Sequence, residues 1–353
     1  MTSLHRPTSR SRLSGLALPL VAGLLVLPLA ACGADDGADD GAEEPRTDET
    51  ASAGEFEPVT VEHAFGATEV TEQPERVVTW GWGTPDAVLA LGVVPVAMEK
   101  LAYGASEEGF MPWQEEAFEE LDAEQPTALT PGEAPPFEEI AAAAPDVILA
   151  GYSGITEADY DKLSRIAPTV AYPDEPWSTP WREVITTVGD VLGQPEEAEE
   201  VLDDIDAEVA AAAEAHPEFE GTTIAAVAID PSAFYVYSGA DPRVQFLEDL
   251  GFTVAPSVEE LDTGGSTFYY TLSTENVDQL DSDVLLSYAP SEERADEIAA
   301  DPTYQAMEQL REDRVATVAG EAVVSSVSPP TALSLTYSLD TFVEALAGAV
   351  SAE

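Results

Sequence analysis

The sequence has one cysteine, two lysines (Lys100 and Lys162) and three histidines in 353 residues. A lone cysteine excludes an internal disulfide framework. His5, His63 and His216 lie far apart in the chain, which leaves little for a histidine-built zinc or manganese centre or for a Ser–His hydrolase. Positive charge is equally scarce: 13 Lys and Arg face 69 Asp and Glu, a formal net charge of −56. Such a field repels nucleic acid and anionic lipid, so no nucleic-acid partner is expected. The enzyme motifs are incomplete as well. "GYSGIT" lacks the final Gly of G-x-S-x-G, and "GWGTPD" lacks the last Gly of a dinucleotide loop. No enzymatic activity, catalytic residue, resident cofactor or metal site is expected.

What is present begins with an export signal. Residues 1–31 carry Arg6, Arg10 and Arg12 and no acid, then the apolar run "LALPLVAGLLVLPLAA", too short to be a comfortable membrane span. Cys32 follows in "LAAC", which resembles the bacterial lipobox; the resemblance implies that Cys32 becomes the lipidated first residue, anchoring the chain outside the cell membrane. Residues 32–57 are small and acidic, a composition that cannot offset its ordering entropy, and read as a spacer. Without the leader, ten basic residues oppose 69 acidic ones, a net charge near −59.

Beyond the spacer the chain repeats a pattern. Glu138, Ile140, Asp146, Val147, Ile148 and Leu149 fall opposite Glu275, Val277, Asp283, Val284, Leu285 and Leu286, always 137 positions apart. Each copy reads helix, then strand. Leu91 and Gly92 match Leu250 and Gly251 in the same way, Gly marking a helix end in both. Strands are expected near 77–80, 94–97, 146–150 and 169–172, and again near 223–229, 234–238, 252–255 and 283–287. Alternation with helical patterns predicts two α/β, Rossmann-like lobes with parallel-rich sheets, at 58–194 and 218–353. Between them, 195–217 opens with Pro and acids and is rich in helix formers: a rigid helix of about 33 Å.

The stretches "VEHAFGATEVTEQPERVVTWGWGTPDAVLALGVVPVA", "FEEIAAAAPDVILAGYSGITEADYDKLSRIAPTVAYPDEPWSTPW", "STENVDQLDSDVLLSY" and "SPPTALSLTYSLDTFVEAL" run in order from about Val59 to the C-terminus. The chain resembles the type III solute-binding lipoproteins of ABC importers, in the iron-siderophore group, of the Gram-positive type. The resemblance implies the class III periplasmic-binding-protein fold, two lobes on one long helix with a shallow cleft and limited closure. It also implies a monomer that passes a ferric siderophore to an ABC permease.

Ligands of open α/β sheets bind outside the carboxyl ends of the strands, and "WGWGT" directly follows the first of these. Trp80, inside the strand pattern, is expected in the core; Trp82, flanked by glycines, is expected on the cleft wall. Trp113, Trp177, Tyr103 and Tyr152 join it from other loops, with Tyr235, Tyr237, Phe268 and Tyr269 from the second half. Arg182 and Arg243 follow candidate cleft loops and offer planar forks of donors to carbonyl or hydroxamate oxygens. With cations this scarce a ferric tris-catecholate, carrying about three negative charges, is disfavoured against a neutral or cationic hydroxamate complex. A haem- or corrinoid-binding lipoprotein of the same fold is the alternative, with Tyr237 or Tyr152 a candidate iron ligand. Glu138 and Glu275 stand at matching helix starts, where the dipole favours a carboxylate; the resemblance makes them the acids that meet permease arginines.

Overall fold

A computed structural model describes residues 56–352 except 265 and 267. The leader, Cys32 and nearly all of the spacer lie outside the described residues.

A hairpin of β1 (Val59–His63) and β2 (Gly66–Val70) leads into a five-stranded sheet. That sheet contains β3 (Val77–Thr79), β4 (Ala97–Glu99), β5 (Thr127–Leu129), β6 (Val147–Ala150) and β7 (Thr169–Ala171), in the order β5-β4-β3-β6-β7, every neighbouring pair parallel. β3 and β6 are buried at every residue, as strands covered on both faces must be. From β3 the chain proceeds first to one side and later to the other, which puts a topological switch point between β3 and β6. β4 lies later than the 94–97 expected, because Pro95 has no N–H to give to a ladder.

The connections carry α1 (Thr84–Ala90), α2 (Pro112–Glu120), α3 (Phe137–Ala142) and α4 (Glu157–Leu163); α5 (Trp181–Leu192) follows the last strand. α5 buries Trp181, Val184, Ile185, Val188, Val191 and Leu192, the stripe that a 3.6-residue period aims at one face. Gly193 ends it at φ +71°. α6 (Pro195–Ala215) then runs 21 residues, about 31 Å at 1.5 Å each, with Pro at its start and Glu196 and Glu197 in its first turn. It crosses α5 closely: a Cβ on Gly189 would lie 2.4 Å from the Ala198 Cβ.

The second sheet holds β8 (Thr223–Ile229), β9 (Phe234–Tyr237), β10 (Thr253–Val254), β11 (Tyr269–Leu272), β12 (Val284–Ala289) and β13 (Val315–Ala319). Its path is β11-β9-β8-β12-β13, with the short β10 also on β8. β9 pairs antiparallel with both β8 and β11, so this sheet is mixed rather than parallel throughout. A hairpin of four loop residues, Asp230–Ala233, joins β8 to β9 and forces that direction. Its helices are α7 (Pro242–Asp249), α8 (Pro256–Glu260), α9 (Glu292–Ala300), α10 (Glu308–Arg311), α11 (Glu321–Val327) and α12 (Ser334–Val350).

The 137-residue spacing has a structural meaning. Asp146, just before β6, accepts the backbone N–H groups of Glu75 and Arg76, just before β3. Asp283, just before β12, accepts the Thr223 N–H at 2.9 Å, at the head of β8. Each carboxylate ties the starts of two central parallel strands together. One hydrophobic cluster joins both lobes, running from Val88 and Ile185 through Ile205 of α6 to Leu335 and Phe342 of α12.

Candidate ligand cleft

The cleft is built at the switch point. Trp80 N–H still donates to Leu149 O (2.9 Å), and two residues later Trp82 N–H donates to Tyr152 O (3.0 Å), so the turns after β3 and β6 are bonded together. Gly81 makes this approach possible: it sits at φ +98°, and a Cβ there would lie 2.3 Å from the Tyr152 carbonyl oxygen. The strand's direction turns Trp80 into the core, 4 % exposed, and leaves Trp82 half-buried beyond the turn. The Trp82 Nε1–H reaches the other lobe and donates to Pro329 O at 3.1 Å.

A recess of about 350 Å³ opens beside this ring, lined by Trp82, Lys100 and Tyr103 from the first lobe and by Val324, Ser325 and Ser328 from the second. The loop carrying Tyr103 is held on α11: Gly104 N–H donates to Glu321 Oε2 (3.2 Å) and Ser325 Oγ to Tyr103 O (3.4 Å). Tyr103 stays 44 % exposed, a ring held at the rim. Its phenol is pushed above the ordinary value by burial, then by the Glu321 charge and by Tyr237 across the gap.

Behind Ser328 lies Arg243. Its Nε donates to Ser328 Oγ (2.6 Å), its Nη1 to Asp241 Oδ2 (2.6 Å), and its guanidinium stacks 4.5 Å from the Tyr237 ring centroid. Nη2 has no hydrogen-bond partner among the described residues. Asp241 is the N-cap of α7, its Oδ1 accepting Arg243 N–H at 2.8 Å, so one carboxylate caps a helix and pairs a cation. Burial works against the Arg243 charge, and attraction to Asp241 then lifts its pKa above the ordinary value. Tyr152 and Tyr288 are buried within electrostatic reach of this cation, and the Tyr288 hydroxyl has no hydrogen-bond partner among the described residues. Burial pushes both phenols well up, and Tyr237 less far.

The other expected rings divide. Trp177, 39 % exposed at φ +60°, packs edge-on to Tyr152 at 5.8 Å and closes against Gly154, where a Cβ would meet its Nε1 at 2.3 Å. Tyr235, Phe268 and Tyr269 form one strip along β9 and β11, with rings 5.6 and 4.9 Å apart. β9 alternates, Phe234 and Val236 inward and Tyr235 and Tyr237 on the other face, so Tyr235 continues the row of Tyr237.

Two expected ligand contacts are placed elsewhere. Trp113 is buried in the first lobe, its Nε1 donating to Asp86 Oδ2 at 2.7 Å; the helix start at Pro112 turns it inward. Arg182 lies on the first turn of α5, its guanidinium stacked 4.1 Å from the Trp181 ring centroid and paired with Asp206 of α6 (2.6 Å) and Asp249 of α7 (2.9 Å). Glu138 and Glu275 are exposed, one per lobe, in the first turns of α3 and of the 3₁₀ helix Thr274–Gln279. Asp241, Tyr288 and Ser328 escaped the sequence reading. The "DP" of Asp241 signals a helix cap, but nothing signalled its ion pair or the other two residues.

Asp86 fastens the cleft from behind. Its buried carboxylate accepts Trp113 Nε1–H and Gln114 Nε2–H (2.6 Å) from its own lobe and the Thr331 hydroxyl from the other. Burial pushes this carboxyl up, against those donors. Among the described residues no cluster of His, Cys, Asp and Glu could hold a metal ion, and no helix is long and apolar enough to cross a membrane.

Two α/β lobes joined by one long helix, with a recess between strand ends, are the architecture of a solute-binding protein. A family profile described as periplasmic binding protein matches residues 77–322, and the chain belongs to that family. It is 29 % identical over 259 residues to the ferric enterobactin-binding periplasmic protein FepB of Escherichia coli, covering 69 % of this chain and 79 % of FepB. Among solved structures it is similar to PiaA of Streptococcus pneumoniae in complex with ferrichrome (TM-score 0.75, 35 % identity, 83 % of this chain and 98 % of that one). It is also similar to a periplasmic solute-binding protein of Mycobacterium smegmatis (TM-score 0.71, 29 % identity, 83 % and 99 %).

Proposed function

We propose that the chain is an extracytoplasmic receptor that captures a ferric siderophore, of the hydroxamate type, in the interlobe recess and delivers it to an ABC importer. One observation carries this reading: a recess of about 350 Å³ walled by Trp82 and Tyr103 on one side and by Ser328, backed by Arg243, on the other. Rings offer apolar area to a chelate's carbon shell. The Tyr103 hydroxyl at the rim, and the Arg243 guanidinium just behind Ser328, would offer donors to its iron-bound oxygens. Trp177 and the Tyr235, Phe268 and Tyr269 strip extend the wall. PiaA, solved with ferrichrome, supports this choice of ligand class. Haem draws less support than a siderophore, since burial favours the neutral form of the Tyr152 and Tyr237 phenols.

The same reading makes Cys32 a lipid anchor and residues 32–57 its leash, with Glu138 and Glu275 facing the permease. Titrating the full chain with ferric siderophores, read by tryptophan emission, tests it. Saturation by a ferric trihydroxamate, with indifference to the iron-free form, is expected. A Soret band on adding haem, with no quenching by any ferric hydroxamate, would overturn it.

A further inference from the structure

The cations of the cleft are already hydrogen-bonded within the protein. Lys100 Nζ is bound to the Glu107 carbonyl at 2.7 Å, and Arg243 is bound to Asp241. Asp241 has no solvent exposure, and the Arg243 side chain retains 11 %. Two carboxylates flank the recess with no ion pair among the described residues: Glu99 in its wall, and Glu321 beside Tyr103. With Arg243 paired to Asp241 and Lys100 offset by Glu99 and Glu321, the recess has no net positive charge, and the Arg243 guanidinium stands directly behind its Ser328 wall. Both Asp241 oxygens act as acceptors, one on Nη1 and one on the Arg243 backbone. Burial pushes the Asp241 carboxyl up, and the Arg243 charge and its two hydrogen bonds work against that rise in favour of the ionised pair.

We infer that Asp241 is the charge filter of the ligand site: by neutralising Arg243 it leaves hydrogen bonding for a neutral ferric chelate and rejects a trianionic one. This inference rests on the proposed siderophore-binding role. An anionic complex placed against Arg243 also meets the Asp241 carboxylate one contact further on, in surroundings that screen little. A neutral trihydroxamate pays no such repulsion, and it still accepts from Nη2. Specificity then arises from an added repulsive element rather than from a tighter fit.

Asp241→Asn keeps the cap and removes the charge; Asp241→Ser does the same with a smaller side chain and stands in if Asn fails to fold. The full chain and both variants are titrated with ferrichrome, a neutral ferric trihydroxamate, and with a trianionic ferric tris-catecholate. The expected result is an affinity ratio shifted at least about tenfold toward the trianion in the variants. An unshifted ratio, or a parent chain that binds the trianion as tightly as ferrichrome, overturns the inference and leaves the siderophore role standing. Variants that gain the trianion while the parent binds no trihydroxamate support the filter and sink the hydroxamate assignment. No binding of either chelate to any of the three proteins overturns both.

Discussion

The Trp82 indole N–H donates to the Pro329 carbonyl at 3.1 Å, so the ring that walls the recess in one lobe is fixed by backbone of the other. The bond sets the ring's orientation while leaving its face to a ligand. Trp82→Phe keeps much of the face and loses the bond, which is worth about 0.5–1.5 kcal/mol net. It is expected to weaken chelate binding up to about tenfold, and Trp82→Ala by more. Calorimetric titration of both variants checks the order; a Trp82→Phe variant that binds as tightly as the parent would mean the bond does not position the ring.

Asp86 is expected to be the costliest single site to empty. Asp86→Ala strands three buried donors, Trp113 Nε1, Gln114 Nε2 and the Thr331 hydroxyl, at about 1–3 kcal/mol each before relaxation or trapped water. A loss of roughly 3 kcal/mol or more in urea denaturation is expected. Asp86→Asn, which keeps an acceptor and removes a charge that burial opposes, is expected to lose less.

His63 gives the first lobe an acid sensitivity. Its Nδ1 accepts Phe65 N–H, so Nε2 carries the proton toward Thr68 Oγ1, and burial lowers its pKa below 6.5. A base whose folded pKa is depressed resists protonation in the folded state. Its contribution is present above about pH 6.5 and is lost as pH falls through the lowered value. Urea midpoints measured from pH 8 to pH 5 should fall more steeply for the parent than for His63→Gln; parallel profiles would refute this.

Asp283 works on the same principle with a carboxylate. Thr223 donates from its hydroxyl and backbone, lowering the pKa. The stability this supplies is present above the ordinary carboxylate value and lost as pH falls through the lowered one. Asp283→Ala should therefore cost most at neutral pH, and the gap to the parent should narrow toward pH 2.5 in denaturation experiments.

The double change Glu138→Ala with Glu275→Ala is expected to leave chelate binding within about twofold and to abolish transport into whole cells carrying the cognate permease. The carboxylates are exposed and on helix starts away from the recess, so the fold has little stake in them. Lost chelate binding would make the two acids structural.

Much of this protein was legible along the chain because it depends on neighbours in sequence. The helix of Pro195–Ala215 follows from its proline start, first-turn acids and run of helix formers, and the buried strands follow from apolar runs such as "DVILAG". The 137-residue echo located Asp146 and Asp283, and the glycines of "WGWG" marked a close backbone approach. Short strands such as Thr127–Leu129 carry too few residues to show a period, and they exist because a neighbouring strand offers a ladder.

Tertiary structure decided what each polar group at the cleft is for. Arg182 and Arg243 look alike in sequence, each just after a proline-bearing loop. Helix direction and the third dimension send one to Asp206 and Asp249 on the surface, and the other under Ser328 beside a buried Asp241. Trp82 and Trp113 part in the same way, one at the recess and one on Asp86. Local sequence sets propensity and periodicity, whereas most partners of these charges and rings lie 24 to 247 residues away, distances that only the packed fold closes.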